Sequence, residues 1–230
     1  MRFNSLEDEI ELFSSSNNLS VKVESFGKDS KLIIVDNFYK HPYKVRELCK
    51  SIPATFNPRI VHGLPGSRVE ATYYFSHLGH LYNEIINHVF PEDMENVQLD
   101  FIQQCMDHAT FLVNVQNSNM PPRVPHIDGI NSGRWASGIY LNTPEECTGG
   151  TSFYTYKGEK TVDMSQINIA DLQAYNYYVQ DDNEEFKMIY LAEMKFNRMI
   201  IYRSNELHTP YIPPNTFTDE DPRLMQMFFL

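Results

Sequence analysis

The chain is 230 residues long and carries a formal net charge of −11, from 19 basic and 30 acidic side chains. Hydrophobic residues make up 42% of it and aromatic residues 13%, which is the composition of a folded protein and excludes a disordered one. Its apolar runs are far shorter than the roughly 20 residues that a membrane-spanning helix needs. An acidic chain also repels phosphate, so we expect no nucleic-acid partner. We predict a single domain over residues 1–230 that does not cross a membrane.

The cysteines and the N-terminal residues indicate the compartment. Cys49, Cys105 and Cys147 are odd in number, widely spaced and free of any CxxC pair, so they suit reduced thiols better than a disulfide framework or a zinc site. The first residues, MRFNSLEDEIEL, are acidic where a signal peptide is basic and then apolar. We therefore predict a cytoplasmic protein.

The first half of the chain reads as helices with flanking strands. We predict, in chain order, a short helix capped by Ser5, a strand over Lys31–Phe38, a helix beginning at Pro42, a strand over Ser67–Ser76 and a helix beginning at Ser76. We assign residues 1–110 to a supporting region.

After Pro91 the sequence becomes a series of short β-type runs separated by turn residues, which is typical of an antiparallel sandwich or barrel. The stretch Lys157–Asp182 interrupts this series and could carry a short helix near Ile169–Tyr175, or a lid. The pattern predicts a mainly β fold with flanking α-helices and a jelly-roll-like core over residues 111–230. The predicted strands are Val97–Gln104, Thr110–Gln116, Trp135–Asn142, Thr151–Tyr156, Phe186–Leu191, Arg198–Tyr202 and Leu224–Leu230.

His126 and Asp128 form a His-x-Asp pair whose spacing has chemical meaning. On a strand, residues two apart point to the same face, so this imidazole and this carboxylate would converge on one point. Two histidines and one carboxylate hold Fe(II) on one face of an octahedron and leave three positions open. His208 is the only histidine after Asp128 in the sequence. We predict His126, Asp128 and His208 as the ligands of a metal and as the catalytic centre.

The open positions of such a metal suit a chelating 2-oxo acid together with dioxygen. The far carboxylate of a dicarboxylic co-substrate then needs a cation, and the arginine fork binds carboxylates through two parallel hydrogen bonds. Arg223 begins the last predicted strand and could supply this cation, while Tyr140 could donate its hydroxyl. The alternatives are a salt bridge from Arg223 to Asp219 or Asp221, and a purely structural role for Tyr140 in the core.

Four segments occur in a familiar order: HIDGINSGRWASGIYLN, GGTSFY, LHTPY and PRLMQMFFL. From about Asn114 to Leu230, the chain resembles the Fe(II)/2-oxoglutarate-dependent dioxygenases, and most closely their prolyl-4-hydroxylase-like branch. The resemblance implies a double-stranded β-helix, which is a jelly roll or cupin-like barrel. It also implies Fe(II) on the predicted triad, and 2-oxoglutarate held by Arg223 and Tyr140.

The activity that the resemblance implies is hydroxylation of an amino acid, a peptidyl residue or a small metabolite, with dioxygen consumed and succinate and carbon dioxide released. Gln116 stands where prolyl hydroxylases often carry a tyrosine, so proline itself is not assumed as the substrate. We take Arg134, Trp135, Gln116 and Asn142 as candidate substrate contacts. Arg134 and Trp135 could equally be an ordinary pair at the rim of the barrel.

Two other functions remain open from the sequence. One is a cupin-like metal-dependent dioxygenase or isomerase that uses no 2-oxoglutarate, for which Arg223 would have no role. The other is a non-catalytic jelly roll that binds a ligand, for which the metal triad would have no role. The sequence leaves the substrate and the oligomeric state open.

Overall fold

The structure is a computed structural model that describes residues 3–56, 66–95, 97, 100–118, 124–128, 134–158, 179 and 181–230. Its helices are α1 (Leu6–Leu12), α2 (Pro42–Ser51), α3 (Gly79–Val89), α4 (Pro91–Met94) and α5 (Phe101–Asp107), with a 3-10 turn at Ser76–Leu78. Its strands are β1 (Ser20–Phe26), β2 (Ser30–Asp36), β3 (Thr55–Phe56), β4 (Ser67–Ala71), β5 (Phe111–Gln116), β6 (Trp135–Tyr140), β7 (Gly150–Tyr156), β8 (Phe186–Glu193), β9 (Met199–Arg203), β10 (His208–Tyr211) and β11 (Arg223–Phe229).

A large antiparallel sheet has the strand order β1-β2-β9-β6-β11-β5-β4-β3. Strands from residues 1–110 flank those from residues 111–230 at both edges, so the two predicted regions share one sheet. A smaller antiparallel sheet has the order β10-β7-β8. The prediction of a mainly β fold is confirmed. The described residues form two open sheets without a closed barrel, and the jelly roll stays a prediction.

The central strands of the large sheet are buried on both faces, and alternation along them separates two cores. On one face, Ile33, Ile139 and Phe228 pack against the helices. On the other face, Ile34, Ile200 and Met225 pack towards the smaller sheet. The second face positions the site described below.

The local signals account for the first helices. The Ser5 hydroxyl accepts a hydrogen bond from the Asp8 amide at 3.2 Å, as the capping box predicts. Helix α2 begins at Pro42, whose missing N–H costs nothing in the first turn. No helix in the described part of the chain is long and apolar enough to span a membrane.

The structure corrects several predicted elements. The strand predicted over Val97–Gln104 is wrong, because α5 occupies its second half and buries Ile102 and Met106 at the i, i+4 spacing of a helix. The strand predicted from Ser67 ends at Ala71, before Ser76. Strand β1 was not predicted, since most of its side chains are exposed. The helix and lid predicted within Lys157–Asp182 fall mainly on residues 159–178, outside the described part of the chain.

Candidate metal site and adjoining cavity

The backbone brings two of the predicted ligands together. His126 and His208 pair as an isolated antiparallel bridge, with N–H to carbonyl bonds of 2.9 Å in both directions. His208 begins β10, so the bridge adds the short segment around His126 to the edge of the smaller sheet. The two imidazole rings lie 4.6 Å apart between centroids.

Each histidine is oriented by its own backbone. Nδ1 of His126 lies 3.2 Å from the carbonyl oxygen of Val124, and Nδ1 of His208 lies 2.9 Å from that of Glu206. A carbonyl only accepts, so each Nδ1 carries the proton and each Nε2 keeps a free lone pair. This is the arrangement in which protein histidines bind metals.

Asp128 completes the cluster. Its amide donates to the carbonyl of Ser204 at 2.9 Å, which fixes the backbone two residues beyond His126. Its Oδ2 lies 3.5 Å from Nε2 of His208, is shielded from solvent and has no hydrogen-bond partner within the described residues. One ligand atom from each of His126, Asp128 and His208 lies within 4.8 Å of the others. This donor set could hold a metal ion.

Electrostatics keep the first ligand neutral. Burial, helped by the nearby His208, lowers the pKa of His126 to about 4. Its imidazole is therefore uncharged at neutral pH, as coordination through nitrogen requires.

The cluster forms one end of a cavity of about 50 Å³ between the two sheets. Side chains of β4, β5, β9 and β11 line it from the large sheet, and side chains of β7 and β10 line it from the smaller one. The lining residues are Gly66, Ser67, Arg68, Leu112, Asn114, Gln116, His126, Asp128, Thr151, Tyr202, His208, Pro210, Arg223, Met225, Met227 and Phe229.

Arg223 lies at the other end of the cavity and is only 1% exposed. Its guanidinium donates to Oε1 of Gln116 at 2.7 Å and to the carbonyl of Gly150 at 3.1 Å, and it lies 5.6 Å from the ring centre of Tyr140. The Gln116 amide, the Gly150 carbonyl and the Tyr140 ring are all neutral groups. On β7, Gly150 is three residues from Phe153, which pairs with His208. The two ends of the cavity are therefore about 10 Å apart along that strand.

Tyr140 lies behind the cavity wall. Its hydroxyl is 2.8 Å from Oγ1 of Thr151 and donates to the carbonyl of Ala192 at 3.3 Å. Burial raises the pKa of Tyr140, so the phenol stays protonated. Tyr140 thus lies beside the Arg223 guanidinium, and Thr151 stands between its hydroxyl and the cavity.

The predicted substrate contacts divide between the cavity and other parts of the fold. Gln116 lines the cavity beside Arg223. Trp135 does not, because it is fully buried in the core on the helix side of the large sheet. Arg134 is exposed and donates to the carbonyl of Asp93. Asn142 anchors a corner instead, since its side chain accepts from the amide of Leu224 and donates to the carbonyl of Pro222.

The cavity also contains residues that the sequence reasoning missed, namely Arg68, Asn114, Thr151 and Tyr202. Arg68 and Asn114 are paired across β4 and β5. Alternation along Thr110–Gln116 places Asn114 on the face of Gln116, so the sequence held a signal for Asn114. Nothing local marked Arg68, because its position depends on the register of β4.

Comparison with known proteins identifies a family. A model described as a family of unknown function (DUF6445) matches residues 17–225. The chain belongs to this family. No curated protein matches the sequence. Among solved structures, the crystal structure of AviO1 from Streptomyces viridochromogenes Tue57 is similar over 99% of this chain and 95% of that chain, with 10% identity and a TM-score of 0.39. At that TM-score the likeness carries no argument about fold or function.

Proposed function

We propose that this chain is an Fe(II)- and 2-oxoglutarate-dependent oxygenase that hydroxylates an amino acid, a peptidyl residue or a small metabolite. The observation that carries the proposal is one cavity with a His-Asp-His cluster at one end and a buried arginine at the other. Fe(II) is the metal for which two histidines and a carboxylate with open positions are diagnostic. The proposal includes the double-stranded β-helix and the cytoplasmic location, in keeping with the free Cys49, Cys105 and Cys147.

In this proposal the residues divide the work. His126, Asp128 and His208 hold the metal, with each imidazole aimed by the carbonyl bond at its Nδ1. Bound Fe(II) would activate dioxygen, while 2-oxoglutarate supplies two electrons and leaves as succinate and carbon dioxide. Arg223 holds the far carboxylate of 2-oxoglutarate through its fork, and the interior position of that charge strengthens the attraction.

The buried arginine separates the proposal from its nearest rival. A cupin-like dioxygenase or isomerase without 2-oxoglutarate would use the same metal ligands, yet it has no need of a cation at the far end of the cavity. Arg223 lines the cavity, and its planar guanidinium fork suits the far carboxylate of 2-oxoglutarate. A binding module without catalysis accounts even less well for the paired, oriented histidines.

The test is spectroscopic and anaerobic. Fe(II) and then 2-oxoglutarate are added to the full chain, and the weak visible charge-transfer band of the chelate is sought. We expect the band in the wild type, its loss in His126→Ala, and its retention in His88→Ala, which removes an exposed histidine outside the cavity. Absence of the band from the wild type would contradict the proposal. Binding of Fe(II) without any effect of 2-oxoglutarate would favour the cupin-like alternative.

A further inference from the structure

The cavity contains a second arginine that the proposed function does not use. Arg68 lies on β4, and its guanidinium Nε is shielded from solvent. Within the described part of the chain, that Nε has no hydrogen-bond partner and no carboxylate forms an ion pair with Arg68. A buried donor left unsatisfied costs about 1–3 kcal/mol, and more when it is charged. Such a group in a cavity indicates a ligand that supplies the missing acceptor.

Strand register separates Arg68 from Arg223. Arg68 pairs with Asn114, and Asn114 pairs with Met225, so these three form one row across the inner face. Arg223 pairs with Gln116 in the neighbouring row. Arg68 therefore lies one row and two strands away from Arg223 on the same face of the sheet. At that separation the two guanidinium groups can bind different anions. Arg68 is nearer the edge of the sheet, where the two-residue β3 is the one strand beyond β4 in the described part of the chain.

In the next row Leu112 pairs with Met227 and with the exposed Glu70 of β4, and the two apolar members lead out of the cavity into a mainly apolar groove. Leu112, Met227 and Phe229 line both the cavity and a neighbouring groove of about 520 Å³. The groove is bounded by α5, which contributes Phe101 and Cys105. A molecule anchored at Arg68 can therefore extend over apolar side chains without leaving the lined surface.

We propose that Arg68 is the specificity-determining residue for the substrate, and that it binds a carboxylate whose apolar remainder lies in the groove over Leu112, Met227 and Phe229. The inference rests on the proposed function and narrows its substrate class to amphipathic carboxylic acids. A carboxylate is favoured over a phosphate because phosphate sites usually add backbone N–H groups from a helix N-terminus. Every described residue that lines the cavity lies on a strand or in a loop instead.

The test measures binding to the metal-free full chain, so it does not depend on turnover. Isothermal titration compares 4-phenylbutyrate with its neutral isostere 4-phenylbutanamide, with acetate and with phenyl phosphate. Wild type should bind the acid about 10- to 100-fold more tightly than the amide, the range expected of a charge-assisted hydrogen bond. Acetate should bind more weakly than the arylalkyl acid, because it leaves the groove empty.

Variants then assign the preference to Arg68. Arg68→Gln should abolish the preference of acid over amide, and Arg68→Lys should retain part of it. Lys44→Gln removes the same charge from an exposed position on α2 and should leave it intact. If Arg68→Gln does not fold, Arg68→Lys decides instead: it should lower the preference of acid over amide, and an unchanged preference would overturn the inference.

Several results would overturn the inference: equal binding of acid and amide, a preference unchanged in Arg68→Gln, or tighter binding of phenyl phosphate than of the acid. A preference unchanged in Arg68→Gln would mean that the acid binds Arg223. If Fe(II) and 2-oxoglutarate give the chelate band but the acid is not preferred, only this inference fails. If the band is absent while the acid preference depends on Arg68, only the proposed oxygenase fails.

Discussion

Replacing Asp128 by asparagine should separate the stability of the site from its ability to bind metal. In the metal-free protein, Oδ2 of Asp128 is buried without a hydrogen bond in the described structure and lies 3.5 Å from Nε2 of His208. An unsatisfied buried group costs about 1–3 kcal/mol. Asp128→Asn keeps the shape and removes the charge, so we expect the free energy of unfolding without metal to stay constant or to rise by up to that amount.

With metal present the sign should reverse. A ligand that binds only the native state stabilises it by about 2.7 kcal/mol at a concentration 100 times its Kd. Asp128→Asn removes one of the three ligand side chains, and the stabilisation at the same metal concentration should fall below about 1 kcal/mol. The variant would then be as stable as wild type, or more so, without Fe(II), and less stable with it.

Urea denaturation under anaerobic conditions, with a chelator or with Fe(II), measures both quantities. Trp135 is the sole tryptophan and is fully buried, so its fluorescence reports unfolding. Asp29→Asn removes an equal charge from an exposed turn and should change neither quantity by more than about 0.5 kcal/mol. The reasoning is refuted if Asp128→Asn destabilises the metal-free protein by more than about 1 kcal/mol, or if Fe(II) stabilises wild type and variant equally.

Three further predictions concern the deep end of the cavity and the outer face of the fold. Gly150→Ala should lower the free energy of unfolding by about 2–5 kcal/mol in urea denaturation, because the new Cβ would lie 2.0 Å from the Ala192 carbonyl oxygen at a φ of 155°. Gly158→Ala, at a φ of 86° and with no atom within 4 Å of the new Cβ, should lower it by only about 1 kcal/mol. Equal losses would contradict the packing argument. Arg223→Lys should raise the Kd for 2-oxoglutarate about tenfold in titrations of the chelate band, because lysine lacks the guanidinium fork. The Kd for Fe(II) should stay the same. An unchanged Kd for 2-oxoglutarate would rule out Arg223 as the anchor of its far carboxylate. The Arg198 hydrogen bonds lower the pKa of Asp36, so the stabilisation they give is present above about pH 4 and is lost as pH falls through the lowered value. In acid denaturation, the difference in free energy of unfolding between wild type and Asp36→Asn should therefore shrink below about pH 4. A difference that stays constant with pH would disprove the linkage.

The His-Asp-His cluster was predictable because its signal is local. A His-x-Asp spacing brings both side chains to one face, and a single later histidine was available to complete the set. The same alternation places Tyr140 and Gly138 on one face of β6, and both residues face the smaller sheet. What the sequence could not supply is the bond from each Nδ1 to a backbone carbonyl, since that depends on the paths of residues 124–128 and 206–208.

The differences between the sequence predictions and the structure have equally specific causes. Trp135 follows the His-x-Asp turn in sequence, yet it differs in parity from Tyr140 and so points to the opposite face of β6. The parity rule that worked for Tyr140 would have excluded it. The sequence alternates in the manner of a strand at Val97, Leu99 and Phe101. The helical spacing of Ile102 and Met106 decides the structure instead, because it gives α5 an apolar side that packs beside α3. Arg68 required the register between β4 and β5, which no pattern within β4 reveals.

The inner face of the large sheet combines apolar pairs with the polar groups that line the cavity. At β2 and β9 the face carries apolar pairs such as Ile34 with Ile200. At β4, β5 and β11 it carries polar side chains such as Arg68 and Asn114 beside apolar ones such as Met225. A buried polar atom without a partner, such as Nε of Arg68 within the described residues, costs about 1–3 kcal/mol, against roughly 1.5–3 kcal/mol gained for each large apolar side chain that is buried. The apolar pairs on the inner face therefore offset the cost of keeping a polar cavity in the same sheet.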